Sequence, residues 1–286
     1  MVDAVLAVDG GGTRCRLALE RGAGRIAVTL GPANVFSDFD AALAVLNDGL
    51  ARLSTQAGLP LAALSDMPAY LGLAGVIDAR IADRVRGALP LRRAVVEDDR
   101  RSTVRGALGA ADGALAALGT GSFLARQADG RIRLCGGWGA RLGDEASGYW
   151  IARRALSRTL DAVDGLAEQT DLAGGLLARC GGATGIVAFA ARSPTAEMAA
   201  LAPLVIEAAG QGDALACSVL EEGAAHVART LRALGWRDGE MLCLTGGVAP
   251  AYPPFLPAEM TAALTPPKGS ALDGALALAR DLAGEG

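Results

Sequence analysis

Apolar positions dominate the first thirty residues. Ala4 to Val8, Cys15 to Leu19 and Arg25 to Leu30 are short apolar or alternating runs, separated by Asp9-Gly10-Gly11-Gly12-Thr13 and by Arg21-Gly22-Ala23-Gly24. Runs of this length bounded by glycine turns predict three strands joined as a meander. The period changes after residue 37. Ser37 and Asp38 suit a helix N-cap, Phe39, Leu43, Leu46, Leu50 and Leu53 recur at intervals of four and three, and Gly58 can end the helix. That spacing predicts one apolar helix face packed on the sheet. Short strands at 69–73 and 94–96, with a helical stretch at 79–88 between them, predict parallel pairing through a crossover.

The opening pattern returns near residue 113. Ala114 to Leu118 is again an apolar run, Gly119-Thr120-Gly121-Ser122 is again a glycine turn, Phe123 to Arg126 follows, and Gly130-Arg131-Ile132 echoes Gly24-Arg25-Ile26. The repeat predicts an internal duplication, with domains at 1–112 and 113–286. Helical patterns at 145–163, 194–209 and 213–234, a strand at 241–244, the turn Thr245-Gly246-Gly247 and a last helix at 271–283 complete the chain.

Composition narrows the partners. The 286 residues are 51% hydrophobic and 20% charged, enough for two cores of roughly 100 to 150 residues. A net charge of −4 without a dense run of Lys or Arg argues against nucleic acid and against anionic membranes. The N-terminus lacks a signal-peptide pattern and no window approaches ~18 uninterrupted apolar residues, so a cytoplasmic protein with small-molecule ligands is expected. Cys15, Cys135, Cys180, Cys217 and Cys243 are scattered and form no C-x-x-C pair, which predicts small buried side chains rather than disulfides or a metal site. His226, the only histidine, lies inside a helical pattern and is expected to be structural.

The chemistry concentrates in the glycine turns. Glycine allows close backbone approach and exposes amides to anions, so Gly10, Gly11 and Gly12 with the Thr13 hydroxyl make a phosphate cradle, and Gly119, Thr120, Gly121 and Ser122 make a second. Two facing cradles suggest a nucleotide clamp. Asp9 at the strand end can hold a hydrated Mg²⁺, and Arg14 can approach the same charge. Asp98 and Asp99, paired acids ahead of a helical stretch, are candidates for proton transfer or for a helix cap. Trp138 sits between glycines, where an indole can stack on the apolar face of a sugar, and Asp144 can accept from sugar hydroxyls.

The order Asp9-Gly-Gly-Gly-Thr13, Gly31-Pro32-Ala33-Asn34, Leu73-Ala74-Gly75, a paired acid before a helix, Gly119-Thr-Gly-Ser122, Gly136-Gly137-Trp138-Gly139 and Leu142-Gly143-Asp144-Glu145 resembles the N-acetylglucosamine and glucosamine kinases. These are BadF/BadG/BcrA/BcrD-type ATPases within the superfamily of sugar kinases, actin and heat-shock chaperone ATPases. The resemblance is specific through about residue 155 and looser to the end.

It implies an α/β fold of two ribonuclease H-like (actin-like ATPase) domains with a nucleotide cleft between them. Residues 1–112 would be the sugar and phosphate side, and 113–286 the nucleotide side, with the last helix packing back on the first domain. It implies ATP and Mg²⁺, and an amino sugar phosphorylated at its 6-hydroxyl. The family's aspartate stands seven residues before a small pair, as Asp99 does before Gly106-Ala107, which selects Asp99 as the base and keeps Asp98 in reserve. Sugar binding is implied for Asn34, Gly137, Trp138, Gly139 and Asp144, and nucleotide contact for Gly246 and Gly247. A homodimer is allowed. Glu145 is expected in the acidic first turn of the following helix. The alternative within the superfamily is an ATPase that activates a reductase or dehydratase. Those relatives hold an iron–sulfur cluster with cysteines, and the five scattered ones here supply no such motif.

Overall fold

β1 (Ala4–Gly10), β2 (Cys15–Arg21) and β3 (Gly24–Leu30) form the expected meander, with antiparallel register from Ala4↔Arg21 to Gly10↔Cys15 in the first hairpin. The structure, a computed structural model, describes residues 4–284. α1 (Phe39–Ala57) begins where the Asp38 carboxylate accepts from the Ala41 amide and stops at Gly58, whose φ of 64° an L side chain adopts only at a cost. α2 (Leu61–Leu64), β4 (Ala69–Leu73), α3 (Ala79–Ala88), β5 (Ala94–Glu97) and α4 (Asp99–Leu108) follow. β4 and β5 add in parallel beside β1, so the sheet runs β3-β2-β1-β4-β5. β1 is buried on both faces: Leu6 and Val8 join Leu46, Leu50 and Leu53 of α1, while Val5 and Ala7 turn to the opposite core.

The second meander is β6 (Gly113–Leu118), β7 (Ser122–Ala128) and β8 (Arg131–Gly136). Its helices are α5 (Gly148–Val163), α6 (Asp171–Cys180), α7 (Ala183–Arg192), α8 (Thr195–Ala199), α9 (Ala202–Gly210) and α10 (Ala214–Ala233). β9 (Leu242–Thr245) pairs in parallel with β6, giving the order β8-β7-β6-β9, and α11 (Ala258–Ala262) comes after it. Each sheet therefore repeats one plan, a meander with a parallel strand beside its first member. The core of this unit gathers Leu118, Leu124, Trp150, Ile151, Val219 and Leu231.

Three expectations change here. The helix expected over 194–209 is two, because Pro203 enters the first turn of α9 without an amide to continue the turns of α8. The helix expected from 145 starts at Gly148, since Asp144 and Ala146 hold φ of 60° and 67° and Ser147 is the cap. Glu145 is thus outside the first turn. Of the cysteines, Cys15 and Cys243 are buried, Cys180 and Cys217 partly so, and Cys135 is exposed on the edge strand β8.

α12 (Ala271–Gly284) closes the opposite face of the first sheet: Leu272, Ala275, Leu276 and Ala279 pack on Val5, Ala7, Ala18 and Tyr70. The chain divides into two units, one reaching Ala110 and resuming at Pro267, the other Ala111–Pro266. The first unit leaves off two residues before the expected end of the first domain (110 against 112), and the segment from 267 onward belongs with the first unit rather than the second. α12 meets α4 through two glycines. A Cβ on Gly274 would strike the Ser102 carbonyl oxygen and lie 2.9 Å from the Gly106 Cα, and one on Gly106 would lie 2.7 Å from the Ser270 carbonyl carbon. Among the described residues no single helix is long and apolar enough to cross a membrane.

Candidate active site

In the first unit the chemistry lies at the carboxyl edge of the parallel strands. The register Asp9↔Gly72 and Gly72↔Glu97 sets the ends of β1, β4 and β5 side by side, so Asp9 and the acids that follow β5 share one edge. The two acids after Glu97 have different duties. Asp98 caps α4, accepting from the Arg100 amide at 2.9 Å and from Arg100 Nε and Nη2 at 3.0 and 2.9 Å. Asp99 is the first residue of α4, and among the described residues no side-chain donor reaches its carboxylate. Burial first, then the charges of Asp98 and Asp9, push its pKa up to about 6.

Asp9 is held by Arg16, through Nε at 3.0 Å and a closer contact from Nη2 to the same oxygen, Oδ2. Arg14, which the sequence suggested for this neighbourhood, lies exposed. The signal for Arg16 was present in the hairpin register, because Asp9 and Arg16 are directly opposed across β1 and β2. The turn between them carries Gly11, whose amide donates to the Arg14 carbonyl, and the exposed Gly12 and Thr13. A Cβ on Gly12 would meet nothing within 4 Å, so the protein interior places no demand for glycine there and the turn is open to a ligand. Gly10 is different, since a Cβ there would approach Leu73 Cδ2 to 2.6 Å.

Two further loops are tied to this turn. The Ala33 amide donates to the Gly11 carbonyl, the Ala74 amide to the Gly10 carbonyl and the Val35 amide to the Ala74 carbonyl. Asn34 therefore sits at the same edge as Asp9. Its Oδ1 accepts from the Phe36 and Ser37 amides at 3.0 and 3.1 Å, which spends the side-chain acceptor on the backbone and fixes the amide orientation.

In the second unit, α5 grips the Gly119 to Ser122 turn by its carbonyls: the Gly148 amide donates to the Gly119 oxygen at 2.8 Å and the Tyr149 amide to the Thr120 oxygen at 3.2 Å. Ser122 Oγ donates to the Glu145 carbonyl at 2.6 Å. Asp144, only 7% exposed, accepts from the Ser122 and Gly139 amides, and its pKa is raised chiefly by burial. Gly121 leaves the space for it, since a Cβ there would lie 2.6 Å from Asp144 Oδ2. Asp144 thus ties the 119–122 turn to the loop carrying Gly137, Trp138 and Gly139. Trp138 is 75% exposed and takes no part in the core. Gly246, with φ 99°, rests against the start of the same turn, where a Cβ would come 2.8 Å from the Gly119 amide nitrogen, and Gly247 is exposed. Replacing Asp144 with alanine strands two amides, one of them in the buried Ser122. The expected result is a loss of about 1 to 3 kcal/mol per unsatisfied buried donor, read by denaturant unfolding.

His226 lies half-buried on α10, 3.9 Å from the Glu145 carboxylate, with burial pulling its pKa down. A cavity of about 580 Å³ between α6 and α9, lined by Asp171, Arg179 and Glu207, touches none of the motif residues.

The profile of the BadF/BadG/BcrA/BcrD ATPase family matches residues 6–258. Glucosamine kinase GspK of Vibrio cholerae is 26% identical over 276 residues, covering 95% of this chain and 94% of its own. An N-acetylmuramic acid/N-acetylglucosamine kinase of Clostridium acetobutylicum is 26% identical over 80% of this chain and 78% of its own. The crystal structure of a candidate N-acetylglucosamine kinase from Chromobacterium violaceum superposes with a TM-score of 0.86 at 33% identity, covering 97% and 99% of the two chains.

Proposed function

Because the chain belongs to the BadF/BadG/BcrA/BcrD ATPase family, we propose that it is an ATP-dependent amino-sugar kinase, transferring the γ-phosphoryl group to the 6-hydroxyl of N-acetylglucosamine or glucosamine. The observation that carries this reading is Asp99. It is a carboxylate at a helix start, free of the arginine that occupies its neighbour, on the same strand edge as Asp9 and the glycine turn, with a pKa of about 6. The amino-sugar class is supported by the substrates in the names of the curated relatives.

The sugar O6–H bond breaks and its proton passes to the Asp99 carboxylate, O6 bonds to the γ-phosphorus, and the bond from phosphorus to the bridging oxygen breaks with its electron pair leaving on ADP. The amides of Gly12, Thr13, Thr120 and Gly121 are assigned to phosphate oxygens, those of Gly11, Gly119 and Ser122 being taken by the Arg14 carbonyl, the Gly121 carbonyl and the Asp144 carboxylate, while Asn34, Gly137, Trp138, Gly139 and Asp144 are assigned to the sugar. Asp144 uses two of its acceptor sites on backbone amides, and a carboxylate has about four, so capacity for a hydroxyl remains. Gly246 and Gly247 are assigned to the nucleoside.

The residues also fit Mg²⁺. Arg16 occupies Oδ2 of Asp9, and Oδ1 stays available to a hydrated ion. An ion that keeps most of its waters and is held through phosphate oxygens needs no larger set of protein ligands than one carboxylate. When bound, Mg²⁺ neutralises charge developing on the phosphates. The protein is assigned to the cytoplasm, with no nucleic-acid or membrane partner; a homodimer is compatible with this reading.

The test is ADP release measured with N-acetylglucosamine, glucosamine, glucose and N-acetylmannosamine. Stimulation by an amino sugar, with phosphorus coupled to the C6 protons in the product, is the expected result. Release that no sugar stimulates overturns the reading.

A further inference from the structure

The segment from Glu97 to Arg101 holds three acids followed by two arginines, and the arginines take two of the three acids. Arg101 Nη1 donates to Glu97 Oε1 at 3.1 Å, one helical turn away. Arg100 grips Asp98 with both ends of its fork, Nε to Oδ1 at 3.0 Å and Nη2 to Oδ2 at 2.9 Å, while its amide donates to the same Oδ1. Asp98 is within reach because it is the N-cap, with extended backbone that turns its carboxylate toward the second residue of α4. Asp99 and Arg100 are consecutive helical residues, and their side chains do not face each other.

We propose that Arg100 is a positioning residue for phosphoryl transfer: its two-pronged hold engages both carboxylate oxygens of Asp98 and cancels that charge, so that Asp99 alone serves as the base. The inference rests on the amino-sugar kinase reading and deepens it. It names the group that decides between two adjacent acids.

Charge supplies the second ground. After burial, Asp98 and Asp9 raise the Asp99 pKa, and Arg100 opposes them. Asp9 is compensated by Arg16 of β2. The other charges near α4 are paired as well: Glu97 with Arg101 and with the Tyr70 hydroxyl of β4, Asp281 of α12 with Arg105, and Asp273 of α12 with Arg25. Without Arg100, Asp98 would act on its neighbour uncompensated, and Asp99 would keep its proton to higher pH. A carboxyl that is still protonated cannot receive the hydroxyl proton.

The experiment measures kcat/KM against pH for the wild type, Arg100→Gln, Arg100→Lys, Asp98→Asn and the Arg100→Gln/Asp98→Asn double variant, on the amino sugar the wild type prefers. Arg100 and Asp98 are both partly exposed, so folding should survive, with thermal unfolding as the check. Arg100→Gln should move the acidic limb up by about one pH unit or more, the displacement a bare neighbouring charge produces, so that activity lost in mild acid returns in mild alkali. Asp98→Asn, which can still cap α4, should move the limb down. The double variant should return it near its wild-type position, since one change removes a charge and the other its counter-charge. Arg100→Lys keeps the charge without the planar fork and should leave the limb close to the wild-type pH.

A second readout needs no sugar. The difference in unfolding free energy between Arg100→Gln and Arg100→Gln/Asp99→Asn, followed against pH, should titrate at higher pH than the difference between the wild type and Asp99→Asn. A limb that Arg100→Gln leaves in place or moves down, with kcat lowered by one factor at every pH, overturns the inference and leaves the kinase reading standing. An unfolding difference that titrates at the wild-type pH overturns it too. ADP release that no sugar stimulates defeats the kinase reading instead.

Discussion

Asp99→Asn is expected to lower kcat by about 10²- to 10⁴-fold while making the protein more stable. The loss follows from removing the group that receives the hydroxyl proton. The gain follows from the pKa shift. Burial and two neighbouring acids raise the Asp99 pKa from 3.8 to about 6, so the folded protein holds this proton more tightly than the unfolded chain does. The contribution of Asp99 to stability therefore falls as pH rises through the window from about 4 to 6 and stays unfavourable above it. Each pKa unit corresponds to about 1.4 kcal/mol, so an uncharged isostere should recover about 1 to 3 kcal/mol at neutral pH, a rise of a few degrees in Tm.

The pH profile carries the same sign. In the wild type kcat/KM should climb as pH rises through about 6 and then level off, because the base must be ionised to accept a proton. Asp99→Asn should abolish that limb. Asp98→Ala is the contrast, since it removes the α4 cap and the Arg100 pair and should cost stability, about 0.5 to 2 kcal/mol for the cap. A fully active Asp99→Asn protein would remove Asp99 from the mechanism. A less stable one would contradict a carboxylate whose charge is disfavoured by desolvation and by Asp98 and Asp9.

Gly274→Val should be among the most damaging single changes to the first unit. Its new Cβ would meet the Ser102 carbonyl of α4, and the reciprocal position, Gly106, faces the Ser270 carbonyl with the same lack of room. Both obstacles are backbone, so neither helix can yield by turning a side chain, and overpacking of this kind costs about 3 kcal/mol or more. A fall in Tm of roughly 5 to 10 °C is expected for a unit of this size. Activity should fall as well, because α4 carries Asp98 at its cap and Asp99 on its first turn. Gly106→Ala combined with Gly274→Ala should be less than additive, since either alone already separates the helices. Gly12→Ala serves as control for the thermal measurement: its Cβ meets open space and Tm should not move.

Much of the architecture was readable residue by residue. The four-and-three spacing of Phe39 to Leu53 with Asp38 before it and Gly58 after it specifies a helix, and the strand runs around Asp9-Gly-Gly-Gly-Thr13 specify a hairpin. Each depends only on neighbours a few positions away. Helices were misread where the backbone departs from the side-chain pattern, at Pro203 and at the left-handed Asp144 and Ala146 that exclude Glu145 from α5. The sequence also narrowed the candidate base to two adjacent acids.

What separates Asp98 from Asp99 is tertiary: Arg100 folds back onto one and burial isolates the other. The pairing of Asp9 with Arg16 needed the strand register. The closure of loops 33–37 and 74–77 needed β4 to lie beside β1, and the seating of α12 on α4 needed glycines 168 positions apart, 106 and 274, to meet. Local pattern is set by short-range sterics and turn chemistry, which the order of residues contains. Electrostatic environment and close approach depend on which distant backbones share a sheet edge, and that is decided only when the chain has folded.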